Sequence, residues 1–148
     1  MDSKECLKLK GSLLLTLKKA NGDVEVRRKD NLILNVGYDF ICDAIACPTR
    51  PALMGYTAVG TGTAAADAAQ TALVTELARK VATYAHTANT KIFTLTTVYN
   101  AGEATGAITE AGIVNAASNG IFLDRVVFAV VNKLADDVLT TTFQFTLS

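Results

Sequence analysis

One run in this chain has the spacing of a cofactor fingerprint. Gly60-Thr61-Gly62-Thr63-Ala64-Ala65 fits G-x-G-x-x-[G/A] after a short strand-like segment. In dinucleotide-binding units such glycines let the backbone approach a pyrophosphate at a helix N-terminus. The surroundings argue against that chemistry here. No helical pattern opens at the second glycine, no acid sits about 20 residues on, and no βαβ unit surrounds the run. The glycines are therefore read as permitting a tight backbone bend.

Other reactive side chains are isolated. His86, the single histidine, lies in a strand-like stretch without a neighbouring carboxylate or cysteine in sequence. Cys6, Cys42 and Cys47 are odd in number and lack C-x-x-C spacing, which argues against a disulfide framework and a zinc site. P-loop, nucleophile-elbow and zinc-protease patterns do not occur. The sequence predicts no catalytic residue, no cofactor and no metal.

Two charges stand out for a different reason. Glu110 and Arg125 each interrupt an otherwise apolar strand region. Inward charges are costly unless paired and hydrogen-bonded. Glu110 or Asp124 is thus expected to meet Arg79 or Arg125, across the sheet or at an interface.

The elements that would carry these residues are mostly strands. Ser12 to Leu17 and Val24 to Arg27 flank Asn21-Gly22-Asp23, a hairpin signal, with Leu13, Leu15 and Leu17 on one face. From Asn35 to Ala46, Val36, Phe40, Ile41, Ala44 and Ile45 recur at helical spacing, and Pro48 and Pro51 close the run. This helix is expected across a sheet face or at one end. Tyr56 to Val59 reads as a strand, and residues 61–75 as a flexible loop or arm. Ala72 to Leu77 could be a helical turn or extended.

Beyond it, 80–87, 91–99, 108–115, 121–132 and 138–147 all read as strands. Val126 to Val131 is apolar on both faces, so it is either central or buried by another chain. About eight strands and one helix make a mostly-β antiparallel sandwich, jelly-roll-like in arrangement.

The 148 residues suit a single domain, 1–148. Half are apolar and only 19% charged, more apolar surface than one small core uses. The longest uncharged stretch, Pro51 to Ala66, is too short and too rich in Gly and Thr to span a membrane. The first residues lack a signal-peptide pattern, which points to folding in a cytoplasm. Fourteen basic and fourteen acidic residues cancel, and basic residues are not interleaved with aromatics, so nucleic acid is not an expected partner. Residues 1–30 nevertheless hold eight bases against five acids, making a basic hairpin suited to an acidic neighbour.

Three stretches resemble small structural proteins of tailed-bacteriophage virions. They are Ala58-Val59-Gly60-Thr61-Gly62-Thr63 through Glu76-Leu77-Ala78-Arg79, then Thr105 to Ile113 with Asn115, Gly120 and Arg125, and the closing Asp137 to Ser148. Similar sequences occur as head cement proteins and as tail- or fibre-associated parts. The resemblance implies a jelly-roll-like sandwich made in the host cytoplasm and placed on the outer capsid surface. There it would form dimers or trimers and bind across joints of the major capsid protein.

A tail or baseplate part is the alternative, and a host-glycan-binding module a further one. The absence of Trp weighs against the glycan reading. Candidate interface residues are Lys8, Lys10, Lys18, Arg27, Arg28, Arg79, Glu110, Arg125, Phe128 and Val130.

Overall fold

The computed structural model describes residues 6–148. Alternation of apolar and polar residues produces two five-stranded antiparallel sheets. The first has the order β2 (Val24–Asp30), β1 (Leu9–Lys18), β10 (Val138–Leu147), β7 (Ile92–Tyr99) and β6 (Thr83–His86). The second runs β3 (Leu32–Ile33), β9 (Asp124–Lys133), β8 (Gly106–Val114), β4 (Tyr56–Gly60) and β5 (Glu76–Val81). The expected sandwich is present; the expected jelly-roll connectivity is not confirmed by this strand order.

Two extended runs serve both sheets. The run β2–β3 turns from the first sheet into the second at Asn31, whose N–H donates to the Gly11 carbonyl. The run β5–β6 makes the reverse crossing at Ala82, whose N–H donates to the Gly55 carbonyl. The ten strand segments are therefore eight extended runs, each corner joining two segments.

Inward residues of both sheets fill the space between them. Leu13, Leu15, Leu17, Leu139, Phe143 and Phe145 meet Val59, Ile108, Ile113, Val126, Phe128 and Val131. Phe93 stacks on Phe145 with ring centroids 5.1 Å apart. Polar bridges also cross the gap. Tyr99 donates its hydroxyl to the Thr57 carbonyl at 2.6 Å, and Thr97 donates to the Thr57 hydroxyl. Burial first, then nearby carboxylates, drives the Tyr99 hydroxyl pKa upward, so it remains a donor.

The helix α1 (Asn35–Ala46) forms where the spacing predicts, and the Cys47 N–H closes it on the Asp43 carbonyl just before Pro48. It links the sheets at one end rather than lying along a face. Gly37 approaches Leu123 beside β9, Ile41 packs on the main core, and Phe40 lies near Leu95 of β7. A Cβ at Gly37 would collide with the Leu123 backbone carbonyl. Backbone cannot yield as a flexible side chain does. Gly37→Ala is expected to cost about 2–3 kcal/mol of stability, measured by denaturant melts; a loss below about 0.5 kcal/mol would show that the helix shifts freely.

The outer faces of the two sheets differ. Over the second sheet, Leu34, Ala58, Leu73, Val114 and Phe122 form a smaller buried cluster. Leu73 brings the 61–75 loop into it, so β8 is buried from Ile108 to Val114. The outer face of the first sheet has no such cover among the described residues.

Candidate functional site

The Gly-rich segment does hold an anion, and the anion is the chain's own Glu110. The Glu110 carboxylate accepts hydrogen bonds from the backbone N–H groups of Gly62 (3.0 Å), Val74 (3.0 Å) and Thr75 (2.8 Å). Arg125 Nε donates a fourth at 2.8 Å, and both side chains are fully buried. Arg125 Nη1 also donates to the Ala64 carbonyl and to Gln70 Oε1. Thr109 donates to the Gly62 carbonyl. Residues 61–75 are thus fastened along their length to β8 and β9, not extended as a free arm.

This explains the glycines. A Cβ on Gly60 would collide with the Thr75 backbone carbonyl and lie 2.5 Å from Glu110 Oε1, and one on Gly62 would lie 2.6 Å from both Glu110 Oε1 and the Val74 Cβ. The glycines thus do more than permit a bend: backbone free of side chains is needed for close approach to the carboxylate and to the neighbouring loop. Burial pushes the Glu110 carboxyl pKa up, but the bonds from Thr75, Val74, Arg125 and Gly62 together outweigh it and hold the pKa below its usual value.

The expected pairing is therefore Glu110 with Arg125, across β8 and β9 within one chain. Arg79 does not join them. It forms a two-pronged pair with Glu76 at 2.6 and 2.8 Å, donates to the Ala116 and Asn119 carbonyls, and lies 5.3 Å from the Phe122 ring centroid. Asp124 also stands apart from the arginines. Its carboxyl accepts from the Ile113 N–H at 2.9 Å and lies 2.5 Å from Asn31 Nδ2 at the β2–β3 corner. Burial raises its pKa to about 7, against the weaker opposing pull of these two hydrogen bonds.

Three buried side-chain atoms among the described residues lack a hydrogen-bond partner: Asn31 Oδ1, Arg125 Nη2 and Thr141 Oγ1. No group of three or more His, Cys, Asp or Glu residues is placed to hold a metal ion among the described residues. No helix of the described chain is long and apolar enough to cross a membrane. His86 is exposed on β6, with Nδ1 2.6 Å from the Ile92 carbonyl oxygen.

The candidate interface residues fall into two groups. Glu110, Arg125 and Phe128 are buried inside the chain and cannot offer side chains to a partner, which corrects that expectation. Of the doubly apolar run in β9, Val126, Phe128 and Val131 lie in the core, whereas Ala129 and Val130 are exposed, and β3 pairs with β9 only at Asp124 and Arg125. Arg27 is also occupied: its guanidinium donates to the Ala129 and Val130 carbonyls of β9. Arg79 is held as described.

Lys8, Lys10, Lys18, Arg28 and Val130 remain exposed. Strand alternation puts Lys10 and Lys18 on the outer face of the first sheet. Arg28 joins them there, because it pairs with Leu14 on that same face. Thr16, Thr140, Thr142, Thr94 and Thr96 continue that face across β1, β10 and β7. No family model, curated protein or solved structure matches this chain.

Proposed function

We propose that this chain is a non-catalytic structural protein of a tailed-phage virion, acting as a capsid cement protein. In this reading it associates with itself and binds across joints of the major capsid protein on the outer shell. One observation carries the reading: the first sheet's outer face is left open while the second sheet's is covered by the chain's own loop. The open face has a basic flank, Lys10, Lys18 and Arg28, beside exposed Val24 and Val26 and a field of threonines. Such a surface suits an acidic, partly apolar protein neighbour. The resemblance of 58–79, 105–125 and 137–148 to virion proteins supplies the context.

The mechanism is linkage. A clamp that binds only the assembled shell stabilises it by RT ln(1 + [L]/Kd) at each site. Reversing the three basic residues together (Lys10→Glu, Lys18→Glu, Arg28→Glu) is expected to weaken shell binding about 10- to 100-fold, at roughly 0.5–1 kcal/mol per charge. Co-sedimentation with shells at two salt concentrations measures this. Binding that ignores both the reversals and salt would overturn the assignment of this face. Stoichiometry in purified particles tests the larger claim: cement occurs in many copies per head, whereas a few copies would transfer the chain to the tail.

A further inference from the structure

We propose that β6 is a seam through which two copies of this chain pair about a two-fold axis. Sheet edges expose unpaired N–H and C=O groups, and proteins guard them with charges, brevity, proline or bulges. Three of the four edges here are guarded. β2 carries Glu25, Arg27, Arg28, Lys29 and Asp30; β5 carries Glu76, Arg79 and Lys80; β3 is two residues long. The fourth, β6, is short at four residues but twice the length of β3; it reads Thr83-Tyr84-Ala85-His86, with no lysine, arginine, acid or proline, and all four residues are exposed. Its register with β7 runs without a bulge from Thr83↔Thr96 to His86↔Phe93.

Beside this edge lies an apolar groove of about 460 Å³, between α1, the 50–54 segment and the β6–β7 hairpin. Leu53 and Tyr84 on its walls are 77% and 63% exposed. An unguarded edge next to unburied apolar side chains is suited to strand addition. The occupant is a second copy for two reasons. An antiparallel edge pairs with its own duplicate about a two-fold axis, giving a closed contact in which each surface meets itself. The rim is also self-complementary in sign. Arg50 lines the groove, exposed Asp43 adjoins Ala44 of the helical wall, and the chain carries no net charge to repel its copy. The seam gives the proposed self-association a surface and rests on that reading for its purpose.

Sedimentation of the whole chain with Tyr84→Lys and Ala85→Lys tests the seam. Both side chains are exposed, so the variants are expected to fold, and far-UV circular dichroism checks this. Each places a cation on both copies at the junction. The parent is expected to sediment as a dimer, with dissociation at least tenfold easier in either variant. In the parent alone, Thr83–His86 amides should exchange more slowly at high concentration than at low. A parent that stays monomeric would overturn the seam, as would a dimer equally stable in both variants or one with freely exchanging Thr83–His86 amides. A monomer that still decorates shells in many copies would remove the seam and leave the virion reading standing. A dimer absent from particles would do the reverse.

Discussion

Glu110→Ala is expected to lower unfolding stability by about 3–5 kcal/mol and to release the 61–75 loop. The substitution leaves Arg125 charged in a fully buried position with its Nε partner gone. It also strips the acceptor from three backbone N–H groups, those of Gly62, Val74 and Thr75. An unmade hydrogen bond at a buried donor costs about 1–3 kcal/mol, although loop residues that reach water recover part of that.

Comparison with Arg125→Met separates the two contributions. In that variant Glu110 keeps its three backbone donors, so the loss should be smaller. The double variant Glu110→Ala/Arg125→Met removes the stranded charge but not the stranded N–H groups. Its stability should therefore recover only partly. Chemical denaturation gives these differences, and hydrogen exchange at Gly62, Val74 and Thr75 shows whether the loop opens. A Glu110→Ala loss under about 1 kcal/mol, with those amides still protected, would refute the anchoring role.

Asp124 produces the second large effect, and its sign is unusual for a carboxylate. An unfolded aspartate titrates near 3.9, whereas burial lifts the folded pKa to about 7. Between those values the unfolded chain has released a proton that the folded chain retains. Unfolding then releases a proton, and raising the pH favours it. The stabilising contribution is complete below about pH 4 and is lost as pH rises through 7. Three pH units correspond to roughly 4 kcal/mol as an upper figure. Glu110 works in the opposite sense at lower pH, since its depressed pKa contributes stability that disappears only in acid.

Asp124→Asn should abolish the slope between pH 5 and 8 and make the variant the more stable form at pH 8. The replacement amide can still accept from the Ile113 N–H, and turning over the Asn31 amide, whose Nδ2 faces the other Asp124 oxygen, lets its unpartnered Oδ1 accept from the new NH₂. Denaturant midpoints across pH 5–8 for both proteins provide the measurement. A parent whose stability is flat or rising over that range would disprove the claim.

Much of the fold was legible because period-two patterning is local. The alternating leucines of β1, the Asn21-Gly22 turn with Gly22 at φ 94°, and the alternation of β10 all sit where the sequence places them. The helix was equally plain from its spacing and the following proline. Corners were not legible. Ala82 interrupts its extended run without any turn signal, so β5 and β6 do not separate as segments of different sheets on sequence alone, and Asp30-Asn31 is a turn-type pair that does not by itself mark a change of sheet. The pairing of Glu110 with Arg125 was foreseeable as a need for neutralisation, since both interrupt apolar strands. The three backbone donors were not foreseeable, because they arrive from residues 35–48 positions earlier in the chain. The glycines at 60 and 62 were the available signal, as they mark backbone approached closely by something. Only the folded chain identifies that something as the Glu110 carboxylate together with the Thr75 carbonyl.

The corner runs also bear on how the molecule carries load. A sandwich with two independent edges can let one layer shear past the other while each remains intact. Here the covalent backbone passes between layers at Asn31 on one side and at Ala82 on the other. Sliding would have to tear the corner hydrogen bonds to Gly11 and Gly55 at once. Mechanical work applied to either layer is therefore shared by both, as in a box braced along two opposite walls.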